Sequence, residues 1–268
     1  MKKNLLRFLF IFTFANLQIA TFAQDSSHLR ISLLTCTPGE ELYSTFGHTA
    51  IRVVDSSSVT DYVFNYGTFN FDDDGFYLKF IKGKLMYYLS AEDFAVFKEN
   101  YKADNRGITE QVLNLSAVEK IGFQQALFNN IKEENKFYKY DFFFDNCTTR
   151  PRDLIVNFKN PHPQPVAVMP AGTRFRQAIH SYLNKNEKHW SKLGIDLLLG
   201  APTDAVMTAT QSQFLPDVLM TSLDSSNKKI SLLLSSKNLY AIDTCLLYTS
   251  PSPRTKANLV CRLLLEKK

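Results

Sequence analysis

The chain is short of several things that would announce a specialised protein. Its 268 residues include only ten glycines, ten prolines, four cysteines and one tryptophan. So few Gly and Pro exclude a collagen-like repeat or a proline-rich filament. There is no zinc knuckle, no aromatic RNA-binding signature and no histidine spacing that would ligate a metal. With 45% apolar and 21% charged residues, the balance is that of an ordinary globular chain.

The formal charge of +5 hints at a nucleic-acid partner, but it belongs to the ends. Lys2, Lys3 and Arg7 precede an apolar run at 8–15 (FLFIFTFA), and Thr21-Phe22-Ala23 supplies small residues for cleavage. This reads as a signal peptide over 1–23, because the run is short of the roughly 18 residues a spanning helix needs. Cleavage before Gln24 leaves no cysteine to lipidate. At the other end, 245–254 (CLLYTSPSPR) resembles a translated transposase-type sequencing adapter, so 245–268 is expected to be foreign and the natural protein truncated after Thr244. Between these ends, 24–244 holds 23 basic and 25 acidic residues, a net of −2. No nucleic-acid partner is implied. Only Cys36 and Cys147 remain in this stretch.

Alternation and punctuation predict strands at 31–35, 49–54, 62–66, 85–89 and 107–115, with 49–54 and 62–66 forming a hairpin. Residues 138–144 (YKYDFFF) read as an aromatic strand. Phe94, Phe97 and Tyr101 mark a helix over 91–101, and the capping box Ser116-x-x-Glu119 opens another to about Asn135. Helical periodicity recurs at 150–159, 172–184 and 203–223, while 193–199 fits either a helix or a strand. Asp72, Asp73 and Asp74 lack the rest of a calcium loop and read as a polar turn. The layout is α+β, with strands first and a helical C-terminal half. Its divisions are expected at 24–160 for the core, 161–226 for a helical extension and 227–244 for a segment cut short.

Two motifs carry chemistry: Phe46-Gly47-His48 at the mouth of a strand, and Asp145-Asn146-Cys147 where an aromatic segment meets a helix. A thiol attacks a carbonyl as thiolate, and a helix N-terminus or a neighbouring imidazolium lowers its pKa. Cys147 is therefore the candidate nucleophile and His48 its acid–base partner. The hairpin brings Asn65 and Tyr66 beside His48, and Asn65 is favoured as the group that orients the imidazole. The backbone N–H of Cys147, with the Asn146 side chain, is the candidate oxyanion site. Arg150 could hold a phosphate or carboxylate, or simply line a helix surface. Pro151 conflicts with a regular helix beginning at Asn146, so either the first turn is irregular or the helix starts at Pro151. Neither motif calls for a metal or an organic cofactor.

A histidine on a strand followed later by Asn-Cys at a helix start resembles the circularly permuted papain-like enzymes, including the NlpC and lecithin:retinol acyltransferase groups. The stretches ISLLTCTPGEELYSTFGHTAIRVVD, YVFNYGTFNFD and FFFDNCTTRPRD are similar to the N-terminal periplasmic domain of the Lnb-type lipoprotein N-acyltransferases of Bacteroidota. The family pattern falls on Tyr43, Ser44, Phe46, Gly47, His48, Arg52, Asn65, Tyr66, Gly67, Asn146, Cys147 and Arg150. The resemblance implies a periplasmic enzyme that moves a fatty acyl chain from a phospholipid, through a Cys147 thioester, to the N-terminal amine of a lipoprotein. It further implies inner-membrane association through transmembrane helices after Thr244. The alternatives are a cysteine peptidase or amidase acting on cell-wall peptides, and a non-catalytic domain with a Cys36–Cys147 disulfide.

Overall fold

The computed structural model describes residues 27–70, 79, 85–185 and 189–241. The expected signal peptide, the Asp72–Asp74 turn and the adapter-like tail lie outside the described residues. The first half is mostly strand: β1 (Leu29–Cys36), β2 (His48–Asp55), β3 (Thr60–Thr68), β4 (Met86–Asp93), α1 (Phe94–Ala103), β5 (Ile108–Leu113), α2 (Ala117–Asn130) and β6 (Phe137–Lys139). Then follow α3 (Thr149–Phe158), α4 (Phe175–Lys185), α5 (His189–Leu199), α6 (Ala209–Ser212), α7 (Pro216–Ile230) and β7 (Leu233–Tyr240). Among the described residues no helix is long and apolar enough to cross a membrane.

The strands form one antiparallel sheet in the order β6-β4-β3-β2-β1-β5-β7. The period-2 alternation divides β1 cleanly. Leu29, Ile31 and Leu33 face a core shared with Phe123 and Leu127 of α2, Ile155 of α3, and Leu219 and Leu223 of α7. Leu34 and Cys36 face the opposite side, where Phe97 of α1 packs with Ala50, Val63 and Ile108. A third cluster gathers Phe143, Phe175, Phe214, Leu215 and Val218.

Two expectations are corrected. Only residues 137–139 of the aromatic segment are strand, because the Asp141 carboxylate accepts from the N–H groups of Phe143 and Phe144 and closes a turn. The single helix over 203–223 is instead α6 and α7, since Pro216 cannot continue a helix and opens a new one in its first turn. The ambiguous apolar segment belongs to α5. Residues 224–229, beyond the helical periodicity at 203–223, continue α7 to Ile230, and β7 then pairs with β5 at the sheet edge.

On the α1 side, Arg52 of β2 makes two bonds to Asp61, of 2.7 and 2.6 Å, and one of 3.0 Å to the fully buried Glu110 of β5. Its guanidinium lies 3.4 Å from the centroid of Phe94. Removing one member of a buried pair strands the other. Glu110→Ala is therefore expected to cost about 3–5 kcal/mol in denaturant unfolding. The paired change Arg52→Met with Glu110→Leu should recover much of that loss.

Candidate functional site

The site forms where the sheet opens. β2 and β3 are paired from Asp55–Thr60 as far as Ile51–Phe64; beyond that point β3 stays with β4, against which its register shifts between Asn65 and Thr68. Thr49 thereby loses a strand partner on that side. Its backbone N–H instead donates to the sulfur of Cys147. Because that nitrogen belongs to the peptide joining His48 to Thr49, the thiol lies directly against the start of β2.

Two glycines make this approach possible. Gly47 has φ +83°, and a Cβ there would meet the Cys36 carbonyl at 2.6 Å. Gly67 has φ +84°, and a Cβ there would come within 3.2 Å of Cys147 Cβ. Phe46, just before Gly47, anchors the turn with ring contacts to Phe142 at 5.2 Å and Tyr182 at 5.8 Å.

Cys147 is held from the other side by the first turn of α3. The Asn146 side-chain oxygen accepts from the N–H groups of Thr148 and Thr149, both at 2.8 Å. Its amide donates to the carbonyls of Phe142 (2.9 Å) and Phe214 (3.0 Å). The Thr148 hydroxyl bonds that of Thr49 at 3.1 Å, with both residues buried. Pro151 falls in the first turn of a helix starting at Thr149, which resolves the conflict seen in the sequence: its missing N–H withholds only a bond near the helix entrance.

The structure joins His48 to Asn65, with Nε2 3.1 Å from the Asn65 side-chain oxygen. Other sequence candidates have different duties. Tyr66 follows Asn65 and so points to the opposite face, where it is buried and accepts a 2.7 Å bond from Asn130. Asn146 has both amide hydrogens engaged, so its side chain caps α3 and does not face an oxyanion. Arg150 is clamped by Asp145 at 2.5 and 2.8 Å and stacks 3.5 Å from the centroid of Tyr138. Ser44 is buried and bonds the Glu41 carbonyl at 3.0 Å, bracing its own turn. Tyr43 is exposed, edge-on to Phe69 at 6.1 Å. Glu92 went unnoticed in the sequence: its carboxylate accepts from the Asn65 amide at 3.0 Å.

Burial sets the charge state. Desolvation lowers the His48 pKa from 6.5 to about 4, the Asn65 bond opposing and the Arg106 charge adding to the fall. Desolvation also raises the Cys147 thiol, against the lowering effect of the Thr49 N–H, the Thr148 hydroxyl and its own N–H. The expected thiolate–imidazolium is therefore not the resting state. A neutral thiol and a neutral imidazole are.

The disulfide alternative is corrected as well, since both cysteines are free. Cys36 sits in the α1-side core, hydrogen-bonded to Tyr101, and desolvation pushes its thiol up to about 12.

An N-terminal helix cap, a strand-end histidine backed by an amide, and a thiol against the same strand define a thiol-bearing α+β domain. The family profile of the Lnb N-terminal periplasmic domain matches residues 17–173, and the chain belongs to that family. The match assigns the domain to the periplasm. No curated protein and no solved structure matches the chain.

Two outcomes follow from this geometry. Between pH 6.5 and about 4 an unfolded His48 takes up a proton that the folded one refuses. Stability should thus fall as pH drops through that window and level off below it, and His48→Gln should flatten the dependence in unfolding titrations. Gly67→Ala should cost about 1–2 kcal/mol through its left-handed backbone. It should also displace the sulfur, read as a changed rate of Cys147 alkylation.

Proposed function

We propose that this domain is a thiol acyltransferase of circularly permuted papain-like design, using phospholipid as donor and a lipoprotein N-terminus as acceptor. The observation that carries the reading is the Cys147 sulfur held against the peptide of His48 and Thr49, while the His48 ring is bonded to Asn65. Family membership supports the choice of substrates.

With both groups neutral, proton transfer accompanies attack rather than preceding it. The sulfur adds to an ester carbonyl of the phospholipid as His48 takes the S–H proton. A C–S bond forms, the C–O bond to glycerol breaks, and His48 returns the proton to the departing alkoxide. In the second half the α-amine of the acceptor's lipidated cysteine attacks the thioester. A C–N bond forms, the C–S bond breaks, and one amine proton passes through His48 back to sulfur. The Cys147 N–H, at the entrance to α3, is the donor best placed for the oxyanion. Both substrates reside in a bilayer, so the domain works at a membrane surface.

Incubation with phospholipid vesicles should add one acyl mass to the protein, labile to hydroxylamine and mapped to Cys147. The adduct should vanish in Cys147→Ala and persist in Cys36→Ala. Release of peptides from cell-wall material without any acyl adduct would overturn the proposal in favour of a peptidase. Unmodified Cys147 after incubation, with the lipid intact, would overturn it outright.

A further inference from the structure

We propose that Glu92 is a positioning residue that dictates which nitrogen of His48 acts as the base. The inference rests on the reading of His48 as the base for Cys147, and it adds a member that neither sequence motif contains. Glu92 lies on β4 opposite Val63, while Asn65 is opposite Ser90, so the two side chains are diagonal neighbours on one face of the sheet. There the Asn65 amide nitrogen donates to Glu92 Oε1 at 3.0 Å, and its oxygen meets His48 Nε2 at 3.1 Å.

An asparagine amide has two ends, and nothing in its shape prefers one. The carboxylate supplies the preference. It only accepts, so it keeps the NH2 end of Asn65 and turns the oxygen toward the imidazole. An oxygen there only accepts too, so Nε2 must carry the hydrogen. A neutral imidazole has one N–H, which leaves Nδ1 unprotonated and able to take the thiol proton. If Asn65 were reversed, its NH2 would face Nε2 and move the imidazole hydrogen to Nδ1, blocking the base. A wrong tautomer of an otherwise intact histidine is costly in enzymes that depend on an orienting group. Thr68 steadies the same corner: its hydroxyl bonds the Asn65 carbonyl at 3.2 Å and Ser90 at 2.7 Å. Asn65 thus has little freedom except rotation of its amide, the motion that Glu92 blocks.

The tautomer can be read without any substrate, from long-range 1H–15N correlation spectra of 15N-histidine-labelled protein above pH 7. In the native protein His48 should show a protonated Nε2 and an unprotonated Nδ1. Glu92→Gln can bond Asn65 in either orientation and should give a mixture of tautomers; Glu92→Ala should do the same. Acylation kcat should fall on the order of 10-fold in Glu92→Gln with KM little changed, the low end of the loss known when the partner that orients a metal-bound histidine is removed. A native protein protonated at Nδ1, or Glu92 variants that keep pure Nε2–H, would overturn the inference. Failure of Cys147 to form a thioester while the tautomer responds to Glu92 would sink the acyltransferase reading and leave this one standing.

Discussion

The structure depends on one amide. Asn146 spends all four of its side-chain bonds at the junction between the turn at 141–145, the entrance of α3 and the carbonyl of Phe214 just before α7. Each bond satisfies a backbone group that would otherwise be stranded in a buried place, where the loss is larger than the gain of an exposed bond. The result is a joint that ties the start of α7 and the turn at 141–145 to the entrance of α3. Cys147 is the next residue, so its position is inherited from the joint and does not come from its own contacts alone. A substitution at Asn146 would consequently act on the thiol without touching it.

The parting of β2 and β3 is the complementary half. A sheet that stayed fully paired would leave Thr49 no free N–H and Cys147 no room. The positive φ of Gly67 turns β3 aside, and the sulfur occupies the gap as a substitute strand partner. The histidine and the asparagine then reach one another across the same gap. Backbone geometry, and not a cluster of charges, assembles the site. This explains why the two key groups rest uncharged in a poorly solvated corner.

Much of this was readable in the residues. Alternation in β1, β2 and β3 was plain because each buries a face, and the Ser116–Glu119 capping box appears at the start of α2 as the local signal demanded. The pairing of His48 with Asn65 followed from the hairpin. What escaped were features fixed by parity and by distant partners. Asn65 and Tyr66 could not both face His48, since successive strand residues point to opposite sides, and local sequence gave no sign of which bulge would settle the choice. The aromatic run at 138–144 carried strong strand preference, yet one aspartate at position 141 folded it into a turn. Glu92 stood inside the helix predicted over 91–101, but β4 runs on to Asp93, and its register against β3 places Glu92 behind Asn65. Asn146 looked like an oxyanion donor because its cap partners lie in segments as remote as Phe214.

The suppressed ionisation of Cys147 has a bearing on survival outside the cytoplasm. Peroxides and foreign disulfides are attacked by the anion of a cysteine, and hardly at all by its protonated form. A buried sulfur that keeps its hydrogen at neutral pH is therefore a poor target for both. The same burial that slows its intrinsic reactivity works as chemical discretion, disfavouring sulfenic acid and mixed disulfides at this residue.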